Sequence, residues 1–203
     1  ERSDSLVWNL HKMMGITQQC TVLLVKDPTQ LAPVFSTKAN YIFQADKQFG
    51  EYDAGDRTFH CGRRVDVLKA WLTWKTFGDA GFAERVDHAV GLADHTRATT
   101  AERDDFAVLV PGSFTNVCFV WVPPEFRPFD LASLSEDQHD RLHAVASRIK
   151  SRMQHDGTAM IGFQPVHGIN AFRLLYMNPR VTTSDVDDVL DLIATYGEQE
   201  WAR

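Results

Sequence analysis

Short apolar runs, long periodic stretches and one extended aperiodic segment succeed each other along this chain. Residues 20–25 are an apolar run of strand length, closed by Lys26, Asp27 and Pro28, and read as a buried strand. Residues 28–61 mix turn formers and polar groups with no sustained period, which predicts a loop-rich region. A connection of that length is uncommon unless it is functional or disordered. Over residues 63–77 apolar side chains fall on almost every face (Val65, Val67, Leu68, Trp71, Leu72, Trp74), predicting a mostly buried helix with Gly78 and Gly81 bracketing its end. Phe82, Val86, Ala89, Val90 and Ala93 then fall at i, i+4, i+7, i+8 and i+11, one face of a second helix.

Residues 106–110 and 116–122 read as strands, with Pro111, Gly112 and Ser113 between them and Pro123-Pro124 closing the second. Ser133 and Glu136 have capping-box spacing, so a helix is expected to open there and run to about His155, ended by Asp156 and Gly157. Residues 158–164 and 171–177 read as two more strands. A last helix is expected from about Ser184, with Asp185, Asp187 and Asp188 at its positive end and Val186, Val189, Leu190 and Ile193 as its buried stripe. From Phe82 onward the order is helix, two strands, helix, two strands, helix, which describes an α+β domain with helices on an antiparallel sheet. Residues 1–80 look like the tail of a different unit, so a division into 1–80 and 81–203 is expected.

With 203 residues, 44% hydrophobic and 24% charged, the composition is that of an ordinary globular protein. The formal charge of −6 argues against a general nucleic-acid binder, which needs basic patches to displace counterions. The longest apolar run, residues 117–124, is far too short to span a bilayer, and no signal-peptide pattern opens the chain. The three cysteines, Cys20, Cys61 and Cys118, are widely spaced and odd in number, which favours a reducing, cytoplasmic setting over a disulfide framework.

The most informative chemistry precedes the first apolar run. Lys12 follows Asn9, Leu10 and His11, and a lysine at the lip of a buried strand is expected to be desolvated and nucleophilic. The segment resembles the Asn-Pro-His-Lys box of the group II pyridoxal phosphate decarboxylases. Tyr41-Ile42-Phe43-Gln44-Ala45-Asp46-Lys47 and Tyr52-Asp53-Ala54-Gly55-Asp56-Arg57 resemble that family's active-site loop. Cys61-Gly62-Arg63-Arg64-Val65-Asp66, Thr115-Asn116-Val117-Cys118-Phe119 and Asn170-Ala171-Phe172-Arg173 follow in the family's order and at similar spacing. The branch acting on acidic amino acids (glutamate, cysteine sulfinate, aspartate) is the most similar.

The resemblance implies an α/β chain of the type I pyridoxal phosphate fold: the end of the large cofactor domain with its catalytic loop, then the small C-terminal domain. It implies that Lys12 binds pyridoxal 5'-phosphate as a Schiff base, that His11 and Asn9 flank the cofactor, and that Gly62 approaches a cofactor phosphate near a subunit interface. From the residues themselves, Gly62 is placed at a helix start, where N–H groups favour anions. The resemblance further makes Tyr41 the proton donor after loss of carbon dioxide and Arg173 the receptor of a substrate carboxylate. Arg173 lies in an otherwise apolar strand, where burial would demand an anionic partner. Leu10 stands where the family usually has proline, whose ring would fix the backbone before the lysine. A homodimer is implied as well.

Because Lys12 lies so near Glu1, the chain is expected to be the C-terminal portion of a longer protein and inactive alone. Two alternatives carry weight: a noncatalytic dimerisation or binding module derived from such an enzyme, and a transaminase or aldolase on the same fold. His139 and His143, at i and i+4, have a spacing that can bind metal, but they lack further ligands and read as a solvated helix face.

Overall fold

The computed structural model describes residues 2–202 except Asn40, Phe43, Ala45, Cys61 and Ser113, so the parts of the sequence motifs on Phe43, Ala45, Cys61 and Ser113 lie outside the described residues. The chain folds into two compact units, Glu1–Asp79 and Ala80–Arg203.

The first unit opens with an antiparallel ribbon of β1 (Ser5–Trp8) and β2 (Val22–Val25), in register from Ser5 opposite Val25 to Trp8 opposite Val22. The sequence pattern gave no sign of β1. Nor is β2 the buried strand expected over residues 20–25: it begins at Val22, and Leu23 and Leu24 are about half exposed. A two-stranded ribbon has no second layer in this unit to cover its apolar side chains. The segment that follows is loop-rich, with a short helix α1 (Leu31–Phe35) and single 3-10 turns at Gly50–Tyr52 and Gly55–Arg57.

Helix α2 (Asp66–Glu102) is interrupted at Gly78, whose φ of 62° and ψ of −177° suit glycine. Its stretch before Gly78 corrects the expectation of a buried helix. Val67 is 71% exposed and Trp71 56%, and Leu68, Leu72, Trp74 and Phe77 are exposed too. A helix that is apolar all round needs cover all round, and the small elements of this unit do not supply it.

The second unit has its own core. After the stretch of α2 beyond Gly78 come β3 (Phe106–Val108), β4 (Asn116–Trp121), α3 (Glu136–Asp156), β5 (Gly162–Val166), β6 (Ile169–Leu175) and α4 (Thr183–Trp201). The sheet is antiparallel in the order β3-β4-β6-β5. Phe119, Trp121 and Phe172 share its inner face and are fully buried, as are Leu142, Ile149 and Met153 of α3 and Leu190 and Ile193 of α4. Each such side chain contributes roughly 1.5–3 kcal/mol of burial. Ala89, Leu92, Ala93, Thr96 and Thr100 form the buried stripe of α2 in this unit. Arg103 ties α2 to α4 through Asp105 and Asp191, which hold its guanidinium above the ordinary arginine value, Asp105 foremost.

Three boundaries differ from the sequence reading. The cap of α3 is Ser135, paired with Gln138, because Ser133 already ends a 3-10 turn, Leu131–Ser133, capped by Asp130. The β5–β6 hairpin turns at His167 and Gly168, both at positive φ, so its strands occupy 162–166 and 169–175 and not 158–164 and 171–177. Finally, β3 stops at Val108.

Candidate functional site

Lys12 sits at the tip of a doubly turned loop between β1 and β2. Its N–H donates to the Asn9 carbonyl at 3.1 Å, and its own carbonyl accepts from Gly15 N–H at 2.8 Å, with Gly15 at φ 65°. Beneath the tip, Leu10, Met14, Ile16 and Cys20 are buried, and Ile16 N–H donates back to the Leu10 carbonyl at 3.2 Å. Leu10 therefore anchors the loop by burial where a proline would have stiffened it covalently. The Lys12 side chain is exposed, which corrects the expectation of a desolvated lysine, and its amine has no partner among the described residues.

The neighbours of Lys12 are each fixed on one side. The His11 ring meets the backbone of Cys20 through Nδ1, 2.8 Å from the carbonyl oxygen and 3.2 Å from the nitrogen, while His11 N–H donates to the same carbonyl. That leaves Nε2 without a partner among the described residues. Asn9 Oδ1 accepts from the Thr21 hydroxyl at 2.8 Å, and its Nδ2 has no partner among the described residues. The loop is also tied to the start of α2: Lys69 Nζ donates to the Gln19 carbonyl at 2.7 Å, and the Cys20 thiol lies 3.6 Å from the Asp66 carbonyl oxygen. Thr21, Cys20 and Lys69 carry no sequence signal for this duty, since two of the three bonds end on backbone.

Tyr41 lies in a turn closed by Ile42 N–H on the Ala39 carbonyl, and 82% of it is exposed. Asp53 organises the adjoining segment. Its carboxylate takes Lys47 Nζ at 2.5 Å and Gly55 N–H at 3.0 Å, and these contacts, Lys47 first, hold it below the usual carboxylate range. Gly62 is exposed and precedes the helix: α2 opens at Asp66, so the expected helix N-terminus is not at Gly62. A cavity of about 740 Å³ in this unit is lined by Thr21, Val22, Tyr52, Arg57, His60 and Arg64 among others.

In the second unit, Arg173 of β6 is exposed, not buried as its apolar neighbours suggested. The alternation of the strand turns it to the face opposite Phe172, where it stands across from Cys118 on one side and Gly162 on the other. Its Nε–H donates to Asn116 Oδ1 at 3.0 Å. Ala171, on the same face, is fully buried. His143 is half-buried and partnered: Nδ1 faces the Gly168 carbonyl at 2.9 Å and Nε2 lies 3.2 Å from the Asn170 amide. No group of three or more metal-ligating side chains occurs among the described residues.

The chain thus presents an accessible amine on a loop between β1 and β2, followed by an antiparallel α+β unit carrying an exposed strand arginine. The chain belongs to the pyridoxal-dependent decarboxylase family, whose conserved domain matches residues 1–122. It is 39% identical over 199 residues to the acidic amino acid decarboxylase GADL1 of Mus musculus, covering 97% of this chain and 36% of that protein. The crystal structure of mouse CSAD superposes with a TM-score of 0.86 at 38% identity, covering 97% of this chain and 40% of that one. Oryza sativa TDC with PLP and tryptamine shares the fold at a TM-score of 0.82 and 24% identity, over 98% of this chain and 39% of that one. The chain thus spans well under half the length of these relatives.

Proposed function

We propose that this chain serves in the pyridoxal phosphate-dependent decarboxylation of an acidic L-amino acid, glutamate or cysteine sulfinate before aspartate. The observation that carries the reading is the Lys12 loop: an accessible amine held over a buried apolar footing, flanked by two side chains, Asn9 and His11, each with one nitrogen unpartnered among the described residues. That donor set fits a cofactor bearing an aldehyde and a phosphate, with Lys12 for the first and Asn9 Nδ2 and His11 Nε2 within the same loop for the second. Gly62 is a further candidate for contact with a phosphate by resemblance to the family alone, and the space around it is open. When bound, pyridoxal phosphate supplies the electron sink that lets carbon dioxide leave the substrate's α-carbon.

In this reading Tyr41 supplies the proton that replaces the lost carboxylate at that carbon. Its place on an exposed turn suits a segment that closes over substrate and excludes water. Arg173 receives a substrate carboxylate, since its planar fork matches that group and Asn116 is its one partner among the described residues. The 39% identity to a mouse acidic amino acid decarboxylase supports the acidic substrate class. The exposed apolar side chains of β1, β2 and the first stretch of α2 support assembly as a homodimer. Cys20 and Cys118, both free and buried, support a cytoplasmic setting.

The test is carbon dioxide release by the full-length protein with pyridoxal phosphate from glutamate, cysteine sulfinate, aspartate and dopa, beside a Lys12→Ala control. Release from an acidic substrate that falls at least a thousandfold in the control bears the reading out. A folded protein that releases nothing from any of them, with or without Lys12, points instead to a noncatalytic module.

A further inference from the structure

We propose that Asn116 is the positioning residue for Arg173, and that it makes the arginine receive a carboxylate end-on, through Nη1 and Nη2 alone. The inference rests on the reading of Arg173 as a carboxylate receptor and adds how that receptor is aimed. A guanidinium offers two bidentate edges, one formed by Nε and Nη, the other by the two Nη groups. Asn116 Oδ1 occupies Nε at 3.0 Å, which closes the first edge. Arg173 has no other hydrogen bond or ion pair among the described residues, so the second edge stays open on an exposed side chain.

The sheet explains why Asn116 reaches this atom and why its amide is turned the right way. Cys118 stands directly across from Arg173 and Asn116 across from Leu175, so Asn116 is the diagonal neighbour of Arg173 on the same face. Its Nδ2 approaches the buried Cys118 sulfur at 3.8 Å. An arginine Nε–H only donates, so that contact demands the orientation of the amide with Oδ1 on Arg173, and the Nδ2 that then faces Cys118 meets a sulfur able to accept weakly. Gln164 reaches the same sulfur at 3.8 Å from β5. On the β5 side Gly162 sits opposite Arg173 and has no side chain, and a Cβ there would meet nothing within 4 Å. The arginine is therefore held from one side and uncovered on the other.

The test compares Asn116→Ala, Asn116→Leu (isosteric, without the acceptor), Arg173→Ala and the Asn116→Ala/Arg173→Ala pair in the full-length holoenzyme. Two quantities are read: KM and kcat for the acidic substrate, and the Kd of the unreactive dicarboxylate glutarate by calorimetry. Loss of one positioning hydrogen bond is expected to raise KM and the glutarate Kd about tenfold while kcat stays within about twofold. Arg173→Ala raises both by about a hundredfold, and adding Asn116→Ala to it changes neither further. If Arg173→Ala has its effect but a folded Asn116→Ala or Asn116→Leu leaves KM and Kd within twofold, the positioning role is overturned and the carboxylate receptor stands. If Arg173→Ala itself leaves both unchanged, the receptor reading fails and the positioning role fails with it.

Discussion

Asp53 shows how much local order one carboxylate supplies to the Tyr41 segment. Lys47 and the Gly55 amide both favour its ionised form, so its folded pKa lies below the ordinary 3.8. The sign follows from that direction. The carboxylate's contribution is fully present above the ordinary value and is lost as pH falls through the depressed folded value. Amide exchange at Gly55 should therefore accelerate, after allowance for the intrinsic pH dependence of exchange, only when pH drops below about 4. Asp53→Asn should remove that step, and a variant that keeps it would assign the step to another group. A different constraint operates at Gly197 of α4, which lies under the Trp121 ring, so that a Cβ would overlap the indole. Gly197→Ala gains up to about 1 kcal/mol of helix propensity but overpacks the core at a cost of about 1–3 kcal/mol. A urea midpoint below that of the parent protein is expected; an equal or higher midpoint would mean the ring yields freely.

The helices of the second unit are set by their ends. Thr182 and Asp185 form a reciprocal capping box on α4, with Asp185 accepting from Thr182 N–H at 2.7 Å and Thr182 Oγ1 from Asp185 N–H at 3.2 Å. Thr182→Ala should cost about 1 kcal/mol in denaturant unfolding. The Thr182 N–H also holds the Asp185 carboxyl below its ordinary value, so this part of the cap is intact at neutral pH and lost in acid. The acidic start and apolar stripe of α4 were legible in the chain, as was the strand β4. The cap of α3 was not, because Ser133/Glu136 and Ser135/Gln138 satisfy the same local rule and only the turn at Leu131–Ser133 decides between them. The β5–β6 register was hidden for a similar reason. Pro165 looks like a strand breaker, yet β5 is an edge strand, where a missing N–H is tolerated. Among the site residues, Lys12, His11 and Asn9 were legible as a motif. Their anchoring on the Cys20 backbone and Thr21 was not, nor was the exposure of Arg173, which shares its face of β6 with the buried Ala171.

The whole chain combines a unit that closes its own core with one that does not. Fully buried aromatic and aliphatic side chains from β4, β6, α3 and α4 meet inside the second unit, whereas the first presents Leu6, Val7, Trp8, Leu23, Leu24, Trp71 and Leu72 at its surface. Exposed apolar side chains in such number are what an interaction surface presents. Two consequences separate from each other experimentally. With the 203-residue chain alone, amide exchange should be slowest in β4 and β6 and fast throughout residues 2–79, since local stability follows buried apolar contact. Replacing Trp71 and Leu72 together by glutamate should then leave exchange in the second unit unchanged, because neither side chain belongs to its core. If the full-length protein assembles as the proposed homodimer through these residues, the same pair should shift its sedimentation equilibrium towards monomer by at least about tenfold in dissociation constant. An unchanged dimer with lowered thermal stability would instead put the apolar stretch of α2 inside the protomer, covered by another part of the same protein.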